Sequence, residues 1–184
     1  MSRGPFIIVS GLPAAGKTAI GRYVASTMGL PFLDKDDLLE QEFEKHASVD
    51  LELRQQLSRK SDEAMVAEAI ALGAGTLVSF WRPTNLTVAY GTPIDWLSEL
   101  TAPVVELYCR CEPHIAQNRF VTRTRHVGHN DALRLDSLVR QFQELASLGP
   151  LGLWPVATID TSDLSDISAL GDEAVRGVLA LSSD

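Results

Sequence analysis

Gly11-Leu12-Pro13-Ala14-Ala15-Gly16-Lys17-Thr18 fits the spacing G-x-x-x-x-G-K-[ST] of a phosphate-binding loop. The pattern carries weight only between a strand and a helix, and both flanks comply. Phe6-Ile7-Ile8-Val9-Ser10 is a short apolar run of the kind that forms a buried parallel strand. Ala19, Ile20, Tyr23, Val24 and Met28 then recur at helical spacing, with Gly29 as a stop. Gly11 and Gly16 let the backbone turn so that amide N–H groups converge on an anion. A helix beginning near Gly16 adds the positive end of its dipole. Lys17 reaches toward the β- and γ-phosphates, and the Thr18 hydroxyl takes one position on Mg²⁺. ATP and Mg²⁺ are thus the expected ligands. Gly11, Pro13, Ala14, Ala15, Gly16, Lys17, Thr18 and Ala19 are the expected ATP-binding residues of this turn.

The whole chain suits one domain, residues 1–184, built around that turn. Its 184 residues, 45% hydrophobic and 22% charged, describe an ordinary globular protein. A formal net charge of -8 argues against a nucleic-acid partner and leaves a small molecule as the expected one. The apolar run at Phe6 is too short for a leader peptide and no stretch has membrane-spanning length, so a cytoplasmic monomer or homodimer is expected. Cys109 and Cys111 sit one residue apart and point the same way if on a strand. Two thiols are too few for a structural zinc site, and both are read as reduced.

Beyond the first helix, Leu30 to Leu33 reads as a short strand ending in Asp34-Lys35-Asp36-Asp37, with Asp36 or Asp37 as the N-cap of the next helix. Asp50 opens a long helix whose apolar side is Leu51, Leu57, Ala64, Met65, Ala67, Ala69, Ile70 and Leu72, ended by Gly73. Strands are predicted at Thr76–Phe80, Pro103–Cys109 and Val156–Asp160. Helices are predicted from Thr92-Pro93 to Leu100, from Glu112-Pro113 to about Phe120, from Leu133 to Ala146, and from Asp163 or Ser165 to about Leu181. This alternation predicts an α/β fold, a three-layer P-loop NTPase arrangement with an approximately five-stranded parallel sheet and helices on both faces. Ligands in such sheets bind beyond the C-terminal strand ends. That rim gathers the phosphate loop, Asp34 to Asp37, Trp81-Arg82 and the segment after Cys109.

Two polar clusters on the rim carry the expected chemistry. If the strand runs to Asp34, Asp34 and Asp36 face the same way, toward the phosphates. One carboxylate there can hold the water shell of Mg²⁺, and one can orient an attacking hydroxyl. Asp37 is the acid best placed to serve the helix start. The second cluster is Arg119, Arg123, Arg125, His126 and His129, in a segment of about 119–131 with almost no apolar residues. Such a segment suits an Arg-rich lid, in which Arg119 and Arg123 meet ATP and the charge developing on the transferred group. His126 and His129 lack the further ligands a metal site needs. Arg54, Trp81 and Arg82 are candidate substrate-binding residues, Trp81 by stacking and Arg82 by pairing with an anionic group. Arg59 shares the long helix with Arg54.

The stretch from Gly29 to Glu40, Gly-Leu-Pro-Phe-Leu-Asp-Lys-Asp-Asp-Leu-Leu-Glu, resembles the second strand and turn of the shikimate and gluconate kinases, which share the P-loop and an F-x-D-x-D pattern. The resemblance implies that Asp34 helps hold Mg²⁺ through water and that Asp36 touches the substrate hydroxyl. Lys-Asp-Asp is also similar to the 5′-hydroxyl polynucleotide kinases, whose base again falls on Asp36. Chloramphenicol phosphotransferase is similar in size and in the spacing from loop to acid. The resemblance covers residues 6 to 40. It departs at Ser79-Phe80-Trp81, which has neither a Walker-B acid nor the Gly-Gly-Gly run of shikimate kinases, so shikimate itself is not implied.

The expected activity is ATP-dependent phosphoryl transfer to a hydroxyl of a small molecule, a metabolite or an antibiotic. Lys17, Asp36 and Arg123 are the expected catalytic residues, and Thr18 and Asp34 the metal-holding ones. A nucleoside or nucleotide kinase, and a nucleotide-binding regulatory protein without transfer, are the alternatives.

Overall fold

The computed structural model describes residues 4–82 and 91–182, with the side chains of residues 134, 137–141 and 143 left aside. Five strands, β1 (Phe6–Gly11), β2 (Phe32–Asp34), β3 (Gly75–Val78), β4 (Val104–Arg110) and β5 (Val156–Asp160), form one parallel sheet in the order β2-β3-β1-β4-β5. Six α-helices connect or follow them: α1 (Lys17–Met28), α2 (Lys35–Phe43), α3 (Leu51–Leu72), α4 (Pro113–Thr122), α5 (Asp131–Leu148) and α6 (Ile167–Leu181). The strand order places β1, and the loop leaving it, at the centre.

Side-chain alternation along β1 divides the core in two. Ile7 and Val9 pack with Ile20 and Val24 of α1, Phe120 of α4, Phe142 of α5 and Val178 of α6. Phe6 and Ile8 face the other way, onto Met65 and Ala69 of α3 and onto Leu97. Every side chain of β1 from Phe6 to Val9 is thus enclosed, which explains the unbroken apolar run. Among the described residues no helix is long and apolar enough to cross a membrane.

Several boundaries differ from the sequence reading. The cap of α2 is Asp34, which accepts the Asp36 amide at 2.9 Å; neither Asp36 nor Asp37 fills that place. The chain turns helical directly after the last strand residue, so strand parity does not reach Asp36. The buried stripe of α3 is Leu57, Ser61, Met65 and Ala69, one residue per turn. Leu51, Ala64, Ala67, Ile70 and Leu72 are exposed, because α3 meets its neighbours along a narrow seam. Strand β3 stops at Val78, residues Asp95–Glu99 form a short 3-10 helix, and Asp166 caps α6 by accepting the Ala169 amide. The segment from Trp81 to Trp96 includes residues 83–90, which lie outside the described residues.

Candidate active site

The loop leaving β1 is shaped by backbone that few residues tolerate. Gly11 has φ 132, and a Cβ there would lie 2.4 Å from the Cys109 carbonyl oxygen of β4. Gly16 has φ 89 at the start of α1, and Ala14 adopts φ 60, unusual for a residue with a side chain. Left-handed backbone held in place by its surroundings is common where a loop is shaped around a ligand. Lys17 folds over this turn, its Nζ donating to the carbonyls of Leu12 (2.7 Å) and Gly11 (3.0 Å). Burial pushes its ammonium down to about 8.

Thr18 and Asp34 meet as the sequence suggested: the Thr18 hydroxyl donates to Asp34 Oδ2 at 2.7 Å. Asp34 is 4% exposed, and burial, with the Asp36 charge beside it, raises its carboxyl to about 6. A hydroxyl and a buried carboxylate short of positive charge are hard oxygen donors that fit Mg²⁺. Asp36 opens onto the same cavity. Desolvation there pushes its carboxyl up, but the charges of Arg125, Arg123 and Lys17 outweigh it and hold the group below its ordinary range. Asp37 points elsewhere and pairs with exposed Arg22 at 3.0 Å.

A cavity of about 680 Å³ joins these groups. Pro13, Gly16, Lys17, Thr18, Ala19 and Asp34 form one end; Arg54, Gln55, Ser58, Arg59 and Arg82 line the other. Arg54 and Arg59, whose directions the sequence left open, therefore both face it. Arg54 also donates from Nε to the His129 carbonyl at 2.8 Å, and Arg82 donates to the Gly91 carbonyl at 2.9 Å.

Trp81 requires correction. It is 3% exposed, its indole N–H donates to the Val9 carbonyl at 2.8 Å, and it packs near Trp96. It closes the core under the sheet and presents no stacking face to the cavity. Arg119 lies in the last turn of α4, and its guanidinium donates to the carbonyls of Thr161 (2.8 Å) and Ser162 (2.7 Å) beyond β5. It forms cavity wall while bracing that loop. Arg123 lies over the Phe120 ring at 4.3 Å and 3.5 Å from Asp131; burial, with Arg125 nearby, lowers it to about 10.

Several pairings escaped the sequence reading. Arg125 pairs with Asp36 itself and lies 3.3 Å from Asp131. Lys35, 8% exposed, pairs with Asp62 at 2.7 Å and donates to Ser58 at 3.0 Å, tying α2 to α3 behind Asp36. The i, i+4 spacing of Ser58 and Asp62 was the available signal. Glu106 is fully buried in β4, where it accepts from the Ser10 hydroxyl and from the amides of Leu151 (2.8 Å) and Gly152 (2.9 Å). His126 and His129 serve structure: His126 accepts the Gly128 amide and stacks on Phe43. Cys109 and Cys111 are free and buried, and burial pushes the Cys109 thiol up to about 12, out of reach of thiolate chemistry.

The shikimate kinase family model matches residues 13–80, from the phosphate loop to the end of the third strand region. A curated shikimate kinase of Paracidovorax citrulli is 32% identical over 97 residues, 46% of this chain and 51% of that protein. The chain thus spans about half the length of such relatives. A solved structure from Chloroflexus aurantiacus superposes with TM-score 0.74 at 19% identity, over 98% of this chain and 99% of the other. A gluconokinase from Sinorhizobium meliloti superposes with TM-score 0.58 at 17% identity, over 99% and 95%. The chain has the P-loop kinase fold. At these identities the superpositions speak for fold alone. The stretch matched by the family model holds Lys17, Asp34 and Asp36.

Proposed function

We propose that this protein is an ATP-dependent kinase that transfers the γ-phosphoryl group to a hydroxyl of a small molecule. The observation that carries the reading is the placement of Asp36. It faces one continuous cavity with the phosphate loop on one side and the Arg54, Arg59 and Arg82 wall on the other. A protein that only bound nucleotide would not need a carboxylate there.

In this reading, the loop amides and Lys17 hold the phosphates. Thr18, and Asp34 through water, would hold Mg²⁺, which would supply neutralisation of the phosphate charge. Asp36, once Arg125 turns from it, accepts the proton of the acceptor hydroxyl. The acceptor oxygen bonds to the γ-phosphorus, the bond from that phosphorus to the β-phosphate bridging oxygen breaks, and ADP leaves. The segment 119–131 acts as a lid whose Arg123 meets the charge on the transferring group. The three arginines at the acceptor end suit an acceptor that also bears an anionic group.

The test is product analysis by mass spectrometry after incubation with Mg²⁺·ATP and separate panels of polyols, sugar acids, hydroxylated antibiotics, nucleosides and nucleotides. An acceptor gaining one phosphoryl group with matching ADP release is expected. Lys17→Ala should abolish that turnover while leaving the circular dichroism spectrum unchanged. ATP binding without any acceptor-dependent ADP release would favour the regulatory alternative. Turnover near wild type in Lys17→Ala would remove the loop from the mechanism.

A further inference from the structure

The segment joining α4 to α5 is fastened at its far end to α2 and α3, the acceptor-side helices, by several independent contacts. His129 is 1% exposed, and its Nε2 lies 2.7 Å from Glu40 Oε1 on α2. Its ring meets Phe43 edge-on at 5.2 Å, while His126 stacks on the same phenyl ring at 5.4 Å. Its carbonyl accepts from Arg54 of α3. The Asn130 side chain donates to the Val49 carbonyl at 3.0 Å. Gly128 lies so near Phe43 that a Cβ would come within 2.6 Å of the ring. Four residues before His129, Arg125 pairs with Asp36.

The ring nitrogens of His129 are not equivalent. Nδ1 is buried and has no hydrogen-bond partner among the described residues, so the proton belongs on Nε2, where Glu40 accepts it. A donor held by a carboxylate is a strong, directional anchor. An arginine side chain has many rotamers, and holding one over a carboxylate requires that its backbone be held first.

We propose that His129, through Glu40, is a positioning residue: it fixes the root of the lid on α2, and so sets Arg125 against Asp36. The functional meaning rests on the reading of Asp36 as the acid that orients the acceptor; the anchoring itself does not. The anchor makes the state of Asp36 depend on where the lid is rooted.

Two measurements on the full chain test this, using Glu40→Ala, Glu40→Gln, His129→Ala, the double alanine variant and Arg125→Ala. The first is native-state trypsin cleavage after Arg125, read by mass spectrometry, with cleavage after Arg176 in α6 reporting global unfolding. Loss of the anchor should speed cleavage after Arg125 by about tenfold in either alanine single variant. Arg176 should be unaffected, and the double variant no faster than the singles, because one interaction is lost only once. Glu40→Gln keeps an acceptor and should stay near wild type. The second is the NMR signal of the Arg125 guanidinium N–H protons, assigned with Arg125→Ala, which exchange slowly while the group is held on Asp36. In Glu40→Ala that signal should broaden, and in Glu40→Gln it should stay as in the wild type. Unchanged cleavage after Arg125, cleavage rising in step with Arg176, or an Arg125 signal that is unchanged in Glu40→Ala would overturn the proposal. Calorimetry with Mg²⁺·ADP separates the two readings. Failure of the wild type to bind would count against the kinase reading, while the trypsin and NMR outcomes would still judge the anchor.

Discussion

Asp34→Asn should make the ligand-free protein more stable, and the size of the gain follows from the burial of the carboxyl it removes. The native group ionises at about 6, against 3.8 for the ordinary carboxyl. Between those values the folded protein holds a proton that the unfolded chain has released, so stability falls as pH rises through that window. Above it the full cost applies, about 3 kcal/mol for a shift of this size. Asparagine keeps the contacts, with Oδ1 accepting the Asp36 amide as a helix cap does and Nδ2 turned to the Thr18 hydroxyl. Melts of both proteins without Mg²⁺ should show a gap that is small near pH 4, widens to about pH 6 and is flat above about pH 7, following the two ionisations. At pH 8 the gain should reach about 6–12 °C in Tm for a chain of this size. The same substitution should weaken Mg²⁺·ADP binding, since the buried charge is what the metal would meet. A variant no more stable than wild type at pH 8, or a gap independent of pH, would refute the reasoning.

Asp36→Asn should lower phosphoryl transfer by roughly 10²-fold with ATP affinity nearly unchanged, as measured by steady-state kinetics and calorimetry. Asp37→Asn should cost under about 1 kcal/mol by denaturant titration and leave transfer intact, its partner Arg22 being exposed. Arg123→Ala should lower kcat more than it weakens ATP binding, because the charge it faces is greatest in the transition state; equal losses in both would make it a binding residue only. Lys35→Met should destabilise by about 3 kcal/mol by leaving Asp62 without its partner in the cavity wall, and adding Asp62→Leu should recover much of that loss.

The fold was legible because each strand of the sheet is a short apolar run between turn residues, and the loop motif fixed where the first one ends. The Thr18–Asp34 pair was legible too, since the loop fixes one residue and the next strand end the other. Asp36 was placed on the correct side by a faulty route: the chain is already helical there, and it is the helix turn, not strand alternation, that aims it into the cavity. Trp81 misled because a large aromatic at a strand end reads alike whether it covers a core or a ligand; only its indole N–H, given to Val9, separates the two. The pairings of Arg125 with Asp36, His129 with Glu40 and Lys35 with Asp62 join residues far apart in the chain. Beyond the i, i+4 spacing of Ser58 and Asp62, no local period announces them. Glu106 was hidden for the same reason, as a lone acid in an apolar strand whose amide donors come from beyond α5.

The central place of β1 has a consequence for how the protein is made. Its two neighbours are β3, ending at Val78, and β4, ending at Arg110. A nascent chain that has emerged as far as Val78 already carries the whole phosphate loop and nearly all of the stretch that resembles shikimate kinases. It still lacks the wall behind Gly11, which is the carbonyl of Cys109. At that stage β1 is an exposed edge of four successive apolar residues, the kind of edge that recruits other strands. The emerging chain passes through an interval in which its most recognisable part is also its most adhesive, and that interval closes only when the fourth strand docks.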